Sequence, residues 1–275
     1  MFEGGEPLLS NELESWIKEA KAAGVPNIIV LTNGFLLTEE RLKSLYAAGT
    51  GHFHFNFPSH RPEVHEALML MPNMYERQIE AIKRTSELSD EAAVLVCVIN
   101  SLNYRHLPDY VRFVKENFPG IYYIEFNFIK VMGSVKDKHY LVPKLSDVAP
   151  YLLEALSLAK EYCIGCLLDH IPLCFIDGWE MYTYDVPHIM RGNRTYLGEK
   201  NHVKSCLDCS LAIICAGPRK DYVSIHGEDE FKPSSKDIAE IVSILEIFPQ
   251  LLLNKPDSVK AEHLKNFNKN NEDSV

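Results

Sequence analysis

Two groups of residues in this chain have types and spacings suited to chemistry. The first is Gly4-Gly5-Glu6-Pro7, between a short strand-like start and a helical pattern. Two glycines let a ligand come close to the backbone. A buried glutamate accepts bonds from an ammonium group or holds the loop, and Pro7 fixes the exit of the turn. A plain strand-to-helix turn fits these four residues equally well. The second group is Cys206-Leu207-Asp208-Cys209 followed by Cys215, a C-x2-C-x5-C array in an irregular stretch. Such closely spaced thiols suit an iron–sulfur or zinc site; buried free thiols are the plainer alternative. Cys174, in Ile171-Pro172-Leu173-Cys174, offers a fourth ligand from a distance. Cys163 and Cys166 form another C-x2-C, but apolar Ile164, Leu167 and Leu168 favour core packing, with ligation in reserve. Cys97, between Val96 and Val98, reads as packing. His52 and His54 alternate on one strand face, with His60 and His65 close behind, and read as polar lining of a cavity, as do Glu125 and Asn127. No nucleophile–base pair, P-loop or dinucleotide fingerprint appears.

The elements that must position these residues follow from periodicity. Helical spacing covers Asn11–Ala23, Thr38–Ala48, Asn73–Leu88, Leu107–Asn117 and Ser146–Tyr162. Asn11 and Thr38 are the expected N-caps. Between these helices, Asn27–Leu31, His52–Phe57, Ala92–Ile99 and Ile121–Phe128 read as strands. Helices alternating with strands in this way predict βα units and a parallel sheet. After Cys163 the periodicity fades and Gly, Pro, Asp, His and Cys accumulate, as in a small lobe that needs metal to fold. Within it Tyr222–Ile225 reads as a strand. Ser234–Phe248 then forms an amphipathic helix, and the polar stretch beyond Lys255 reads as a frayed tail.

Composition bounds the function classes. The chain has 275 residues, 46% hydrophobic and 24% charged, enough for one or two domains with a sizeable core. A net charge of −10 leaves no large basic surface, so nucleic acid is not an expected partner. The opening Met1-Phe2-Glu3-Gly4-Gly5-Glu6 lacks a secretory pattern, and no apolar run reaches the ~18 residues of a membrane span. A cytoplasmic location without membrane attachment is expected. Thiols stay reduced there, so clustered cysteines read as metal ligands before disulfides.

The order GGEPLL, helix, IIVLTNG, helix, strand, PSHRPEVHEALM, helix, strand, VINSLNY runs over about residues 2–162. It resembles the radical S-adenosylmethionine (radical SAM) superfamily. The resemblance implies that Gly4, Gly5, Glu6 and Pro7 contact the methionine amino group of S-adenosylmethionine. Thr32 and Asn33 follow a strand, where barrel folds place ligand-binding groups. Ser59 matches a position that bonds the ribose or carboxylate, and Asn100 is placed to reach the adenosine side. Loop capping is the plainer role for these last four. The family holds its catalytic [4Fe–4S] cluster with C-x3-C-x2-C ahead of GGEP, and none of the seven cysteines here has that spacing. The chain is therefore expected to be a fragment, as a shortened gene model or an interrupted gene would leave it, inactive as given and with no catalytic residue assigned. The cysteine array resembles the core of the SPASM-type extension of peptide-modifying members. No cysteine follows Cys215, so SPASM-like is the fitting term, with one auxiliary cluster at most.

The expected fold is α/β: an incomplete (β/α) radical-SAM-type barrel over 1–162, a SPASM-like cysteine-rich lobe over 163–233, a C-terminal helix over 234–254 and a polar tail over 255–275. The expected chemistry is reductive cleavage of S-adenosylmethionine and radical modification of a substrate, a peptide or protein by analogy. Cys174, Cys206, Cys209 and Cys215 are the expected ligands of an auxiliary [4Fe–4S] cluster, with zinc as the alternative metal. An active full-length form implies a reductant such as a flavodoxin or ferredoxin. The alternative function is a non-catalytic iron–sulfur or zinc-binding module that docks a partner protein.

Overall fold

The apolar runs between helical patterns become the strands of a parallel five-stranded sheet in a computed structural model, which describes residues 1–193, 198–247 and 249–272. The strands are β1 (Ile29–Thr32), β2 (His52–Asn56), β3 (Ala93–Ile99), β4 (Tyr123–Phe128) and β5 (Gly165–Asp169), in the order β1-β2-β3-β4-β5. Ile29 pairs with His52, and Phe53 with Ala93, both in parallel register. β3 is almost wholly apolar and buried, as expected of a strand covered on both faces. β2 alternates instead. Phe53 and Phe55 are fully buried on one face, while His52, His54 and Asn56 share the other.

The chain divides into two compact units, Met1–Val98 with Asp109–Glu125, and Ile99–Pro108 with Phe126–Val275. In the first, helix α1 (Leu13–Ala22) precedes β1, α2 (Glu39–Ala48) joins β1 to β2, and α3 (Pro62–Met69) and α4 (Met74–Ser86) join β2 to β3. The chain of α5 (Leu107–Asn117) enters this unit at Asp109. Phe57 anchors an aromatic core with Tyr110 and Phe118, at 5.7 and 5.8 Å between ring centroids. Tyr110 Oη donates to the Phe57 carbonyl at 3.0 Å, so the buried hydroxyl is satisfied. Thr38 caps α2 as expected, its Oγ1 accepting from Arg41 N at 3.2 Å. Asn11 does not cap α1. The helix starts one residue later, at an N-cap Glu12 whose own N–H is held by Ser10 Oγ. Within the predicted apolar face, Leu13 and Ile17 are buried but Trp16 stays exposed.

In the second unit α6 (Leu145–Glu161) leads to β5, after which the backbone is mostly short turns. Four further helices appear among the described residues: α7 (Asp185–Met190), α8 (Lys220–His226), α9 (Ala239–Ile247) and α10 (Asp257–Glu272). Two expectations are corrected here. Tyr222–Ile225 is helical, not a strand. Asp221 lies in the first turn of α8 and Gly227 ends it at φ +74°, helix signals that outweigh a short β-branched run. Asp257–Glu272, expected within a frayed tail, form the helix α10, with Asp257 in its first turn. Among the described residues, no helix is long and apolar enough to cross a membrane.

Candidate functional site

Phe2 runs beside β1, its N–H donating to Ile29 O at 2.8 Å and its carbonyl accepting from Leu31 N at 3.0 Å. Gly4 and Gly5 then turn the chain at φ +94° and +59°, values that suit glycine, and the space where a side chain would stand is open at both. Glu6 follows, and its carboxylate is fully engaged. Oε1 accepts from Leu8 N at 3.1 Å and Thr32 Oγ1 at 2.7 Å, and Oε2 accepts from Asn33 N at 2.8 Å. These three bonds hold the loop, one of the two roles open to this glutamate. Glu6 locks the glycine turn to the C-terminal end of β1 while Pro7 opens the short turn Pro7–Leu9. The group left facing outward is the Gly4–Gly5 backbone. The open space beside both glycines leaves room for a ligand to approach the backbone.

Thr32 Oγ1 also accepts from Gly34 N at 3.0 Å, and Asn33 Oδ1 accepts from Phe35 N at 2.9 Å. Both side chains shape the loop after β1. Ser59 is buried, and its Oγ accepts from Arg61 N at 3.1 Å at the entry to α3. Asn100 belongs to the second unit, where its Oδ1 accepts from Leu102 N at 2.9 Å. The first unit thus gathers Glu6, Thr32 and Asn33 at one strand end. Glu125 stands 3.8 Å from buried His54, so both face the same side of the sheet, as their alternation suggested. Burial, with a smaller push from His52, lowers the His54 imidazole to about 4, and the nearby carboxylate does not reverse this.

In the second unit Cys174, Cys206, Cys209 and Cys215 line one small cavity of about 20 Å³, together with His202. Ser234 N donates to Cys209 Sγ and Gly217 N to Cys215 Sγ, each at 3.3 Å. Backbone N–H groups aimed at sulfur are contacts of the kind that cluster-ligating sulfurs accept. Burial works the other way, pushing the Cys174 thiol up to about 12 with help from Cys215 and Cys206. A single zinc needs its sulfurs about 2.3 Å from one point. Among the described residues no group of three or more His, Cys, Asp or Glu is drawn up to hold one ion. The four thiols are soft donors of the kind iron–sulfur clusters take, but the cavity they line is only about 20 Å³. Cys166 is buried, as expected, but Cys163 is exposed. It ends α6 at φ +58°, a left-handed position that turns it out of the core.

A family model described as Radical SAM superfamily matches residues 1–114. This segment is a radical SAM segment. Over 135 residues the chain is 33% identical to the GTP 3',8-cyclase of Aquifex aeolicus, covering 49% of this chain and 41% of that one. Over 111 residues it is 30% identical to the PqqA peptide cyclase of Bradyrhizobium diazoefficiens, covering 40% of this chain and 29% of that one. The chain therefore spans less than half the length of these two curated relatives. A solved structure of native anSMEcpe with bound AdoMet and Cp18Cys peptide shares the fold, with a TM-score of 0.54 and 16% identity over 95% of this chain and 85% of that one.

In the radical SAM segment, sequence reasoning missed Gln78. Its buried Nε2 donates to Asn33 O at 2.7 Å and to Asn56 O at 3.1 Å, tying together the loops after β1 and β2. The signal was present. Gln78 lies on the buried stripe of α4, with Met74, Tyr75, Ile79 and Ile82, and a polar residue on an apolar stripe must find partners.

Proposed function

We propose that the radical SAM segment binds S-adenosylmethionine at the Gly4–Gly5 turn, that Cys174, Cys206, Cys209 and Cys215 hold an auxiliary [4Fe–4S] cluster in a SPASM-like lobe, and that the substrate is a peptide. The observation that carries the first part is the three-bond clamp on Glu6, which presents two uncovered glycine backbones at the end of β1. The second rests on four thiols around one cavity. PqqA peptide cyclase, whose name states a peptide substrate, and anSMEcpe with its bound peptide support the third. When bound beside a reduced cluster, S-adenosylmethionine supplies a carbon–sulfur bond that breaks on one-electron reduction. The chain's own residues bind and orient. Glu6 and Gln78 hold the turn and the adjoining loops rigid, so little order has to be gained on binding. Thr32, Asn33, Ser59 and Asn100 shape loops at or just beyond strand ends. A flavodoxin or ferredoxin is the fitting class of reductant.

The test is equilibrium dialysis of radiolabelled S-adenosylmethionine against the anaerobically reconstituted chain and its Gly5→Val variant. Valine cannot adopt the left-handed backbone of this turn without strain. Saturable binding to the wild type, weakened at least about tenfold in the variant (~1.4 kcal/mol), is the expected result. Equal retention by both would remove the turn from the site. None of the cysteines forms C-x3-C-x2-C, so the polypeptide on its own is expected to release no 5′-deoxyadenosine after dithionite reduction, and its release would overturn that expectation.

A further inference from the structure

The second unit holds a charged network that the cofactor sites do not use. Arg219 is 7% exposed, and Asp221 grips it twice, accepting from Nε at 3.0 Å and from Nη2 at 2.6 Å. Asp221 is itself fixed by Val131 N at 2.9 Å and Tyr222 N at 2.8 Å. The guanidinium is thus immobilised with Nη1 turned to a different partner, the carboxylate of Glu199. The same Glu199 oxygen lies 3.2 Å from Lys130 Nζ, just past the end of β4. Glu199 differs from every other member of the network in being about half exposed, with side-chain exposure of 49%. Its removal would leave Arg219 still braced by Asp221.

The surroundings favour negative charge at this spot. His170 follows the last residue of β5 with φ +64°, a strained backbone for a residue other than glycine. Its buried Nδ1 lies 3.1 Å from Asp169 Oδ1, without hydrogen-bond geometry. Burial and the charges of Lys200, Lys130 and Arg219 push this imidazole far down, to about 2, so it stays neutral. Lys200 is held by Asp185 at 2.5 Å and Asp169 at 3.3 Å. Lys130, Asp169 and His170 sit at or just beyond the C-terminal ends of β4 and β5, where barrel-type sheets place ligand-binding groups.

We infer that Lys130 and Arg219 form a carboxylate-binding site, occupied in the free protein by Glu199 and taken over by an acidic side chain of the substrate. A planar guanidinium held rigid and a nearby ammonium match a carboxylate's two oxygens, and Glu199 itself shows that a carboxylate fits between them. The inference names the substrate chemistry for the peptide reading above and rests on that reading only for calling the ligand a peptide.

The experiment reads binding without catalysis. N-acetylglutamate methylamide and its glutamine counterpart are titrated by calorimetry into the wild type, Glu199→Gln and Lys130→Met. Glu199→Gln removes the negative charge that competes for the site, so the acidic compound should bind about tenfold more tightly than to the wild type, and Lys130→Met should weaken it about tenfold in turn. The glutamine compound should bind weakly to all three. Circular dichroism checks that both variants stay folded, which the exposure of Glu199 and the partial exposure of Lys130 favour. Acid and amide binding alike, or an acid affinity unmoved by Glu199→Gln, would overturn the site and make Glu199 a structural ion pair. Neither result depends on S-adenosylmethionine binding, so failure here and failure of the radical SAM reading are separately visible.

Discussion

Glu6 shows how one side chain ties a four-residue turn to the end of a neighbouring strand. Its two oxygens accept three hydrogen bonds from residues up to 27 positions away. Glu6→Gln replaces one acceptor by a donor facing donors. A loss of about 1–3 kcal/mol in urea unfolding is expected, with weakened S-adenosylmethionine retention; unchanged stability would mean the clamp is dispensable. Two imidazoles of the same unit set a pH dependence. Burial lowers both His54 and His65 from 6.5 to about 4. As pH falls below about 6.5 the unfolded chain takes up these protons first, so stability falls between about pH 6.5 and 4 and is flat above, by roughly 3 kcal/mol per imidazole at most. His54 has His52, Glu125 and Tyr123 as its polar neighbours, so His54→Phe also removes a weak 3.4 Å contact to Tyr123 Oη. Urea midpoints at pH 7 and 4.5 should differ less in His54→Phe than in the wild type. An identical difference would assign the pH dependence elsewhere.

At the scale of an element, the cysteine segment depends on one glycine. Gly217 sits at φ +78°, and a side chain there would collide with the carbonyl of Asn201, whose carbon would lie 2.7 Å away. That approach lets Asn201 N reach Pro218 O at 3.0 Å and places Gly217 N on the Cys215 sulfur. Gly217→Ala should cost about 2 kcal/mol or more, since it combines a forbidden backbone with a steric clash. Thermal unfolding should show the loss, and iron retention after reconstitution should fall with it. Wild-type stability in the variant would show that the loop can open without consequence. The helix α4 carries a parallel case. Gln78→Leu keeps the buried volume but leaves the Asn33 and Asn56 carbonyls without this donor, and a cost of about 1–3 kcal/mol is expected in urea.

For the whole molecule, metal content discriminates most sharply. Anaerobic reconstitution with iron and sulfide should give the broad visible absorption of a [4Fe–4S] cluster, and Cys174→Ala should lose it or hold it labilely. A colourless protein with one tight zinc would replace the cluster by a structural ion. Absorption indifferent to Cys174→Ala but lost in Cys163→Ala would move the fourth ligand. Cys163 is exposed at the end of α6, which leaves it accessible for that comparison.

Local pattern was enough for much of this protein. The two-residue alternation of β2, the helical stripes of α2 and α4 and the apolar run of β3 each declare their element, because burial imposes a period on neighbouring residues. The GGEP turn and the closely spaced cysteines were legible as motifs because their residues are adjacent in the chain. What the tertiary structure decided are the partners separated along the chain. Glu6 accepts from Thr32 and Asn33, Cys174 shares a cavity with Cys215, and Arg219 meets Glu199 and Lys130. None of these pairings has a period, since a hydrogen bond or ion pair across tens of residues depends on where the backbone returns. Tyr222–Ile225 shows the converse. Its β-branched pattern pointed to a strand, and the cap at Gly227 and the Tyr222 hydroxyl under Leu145 N draw the same residues into a helix.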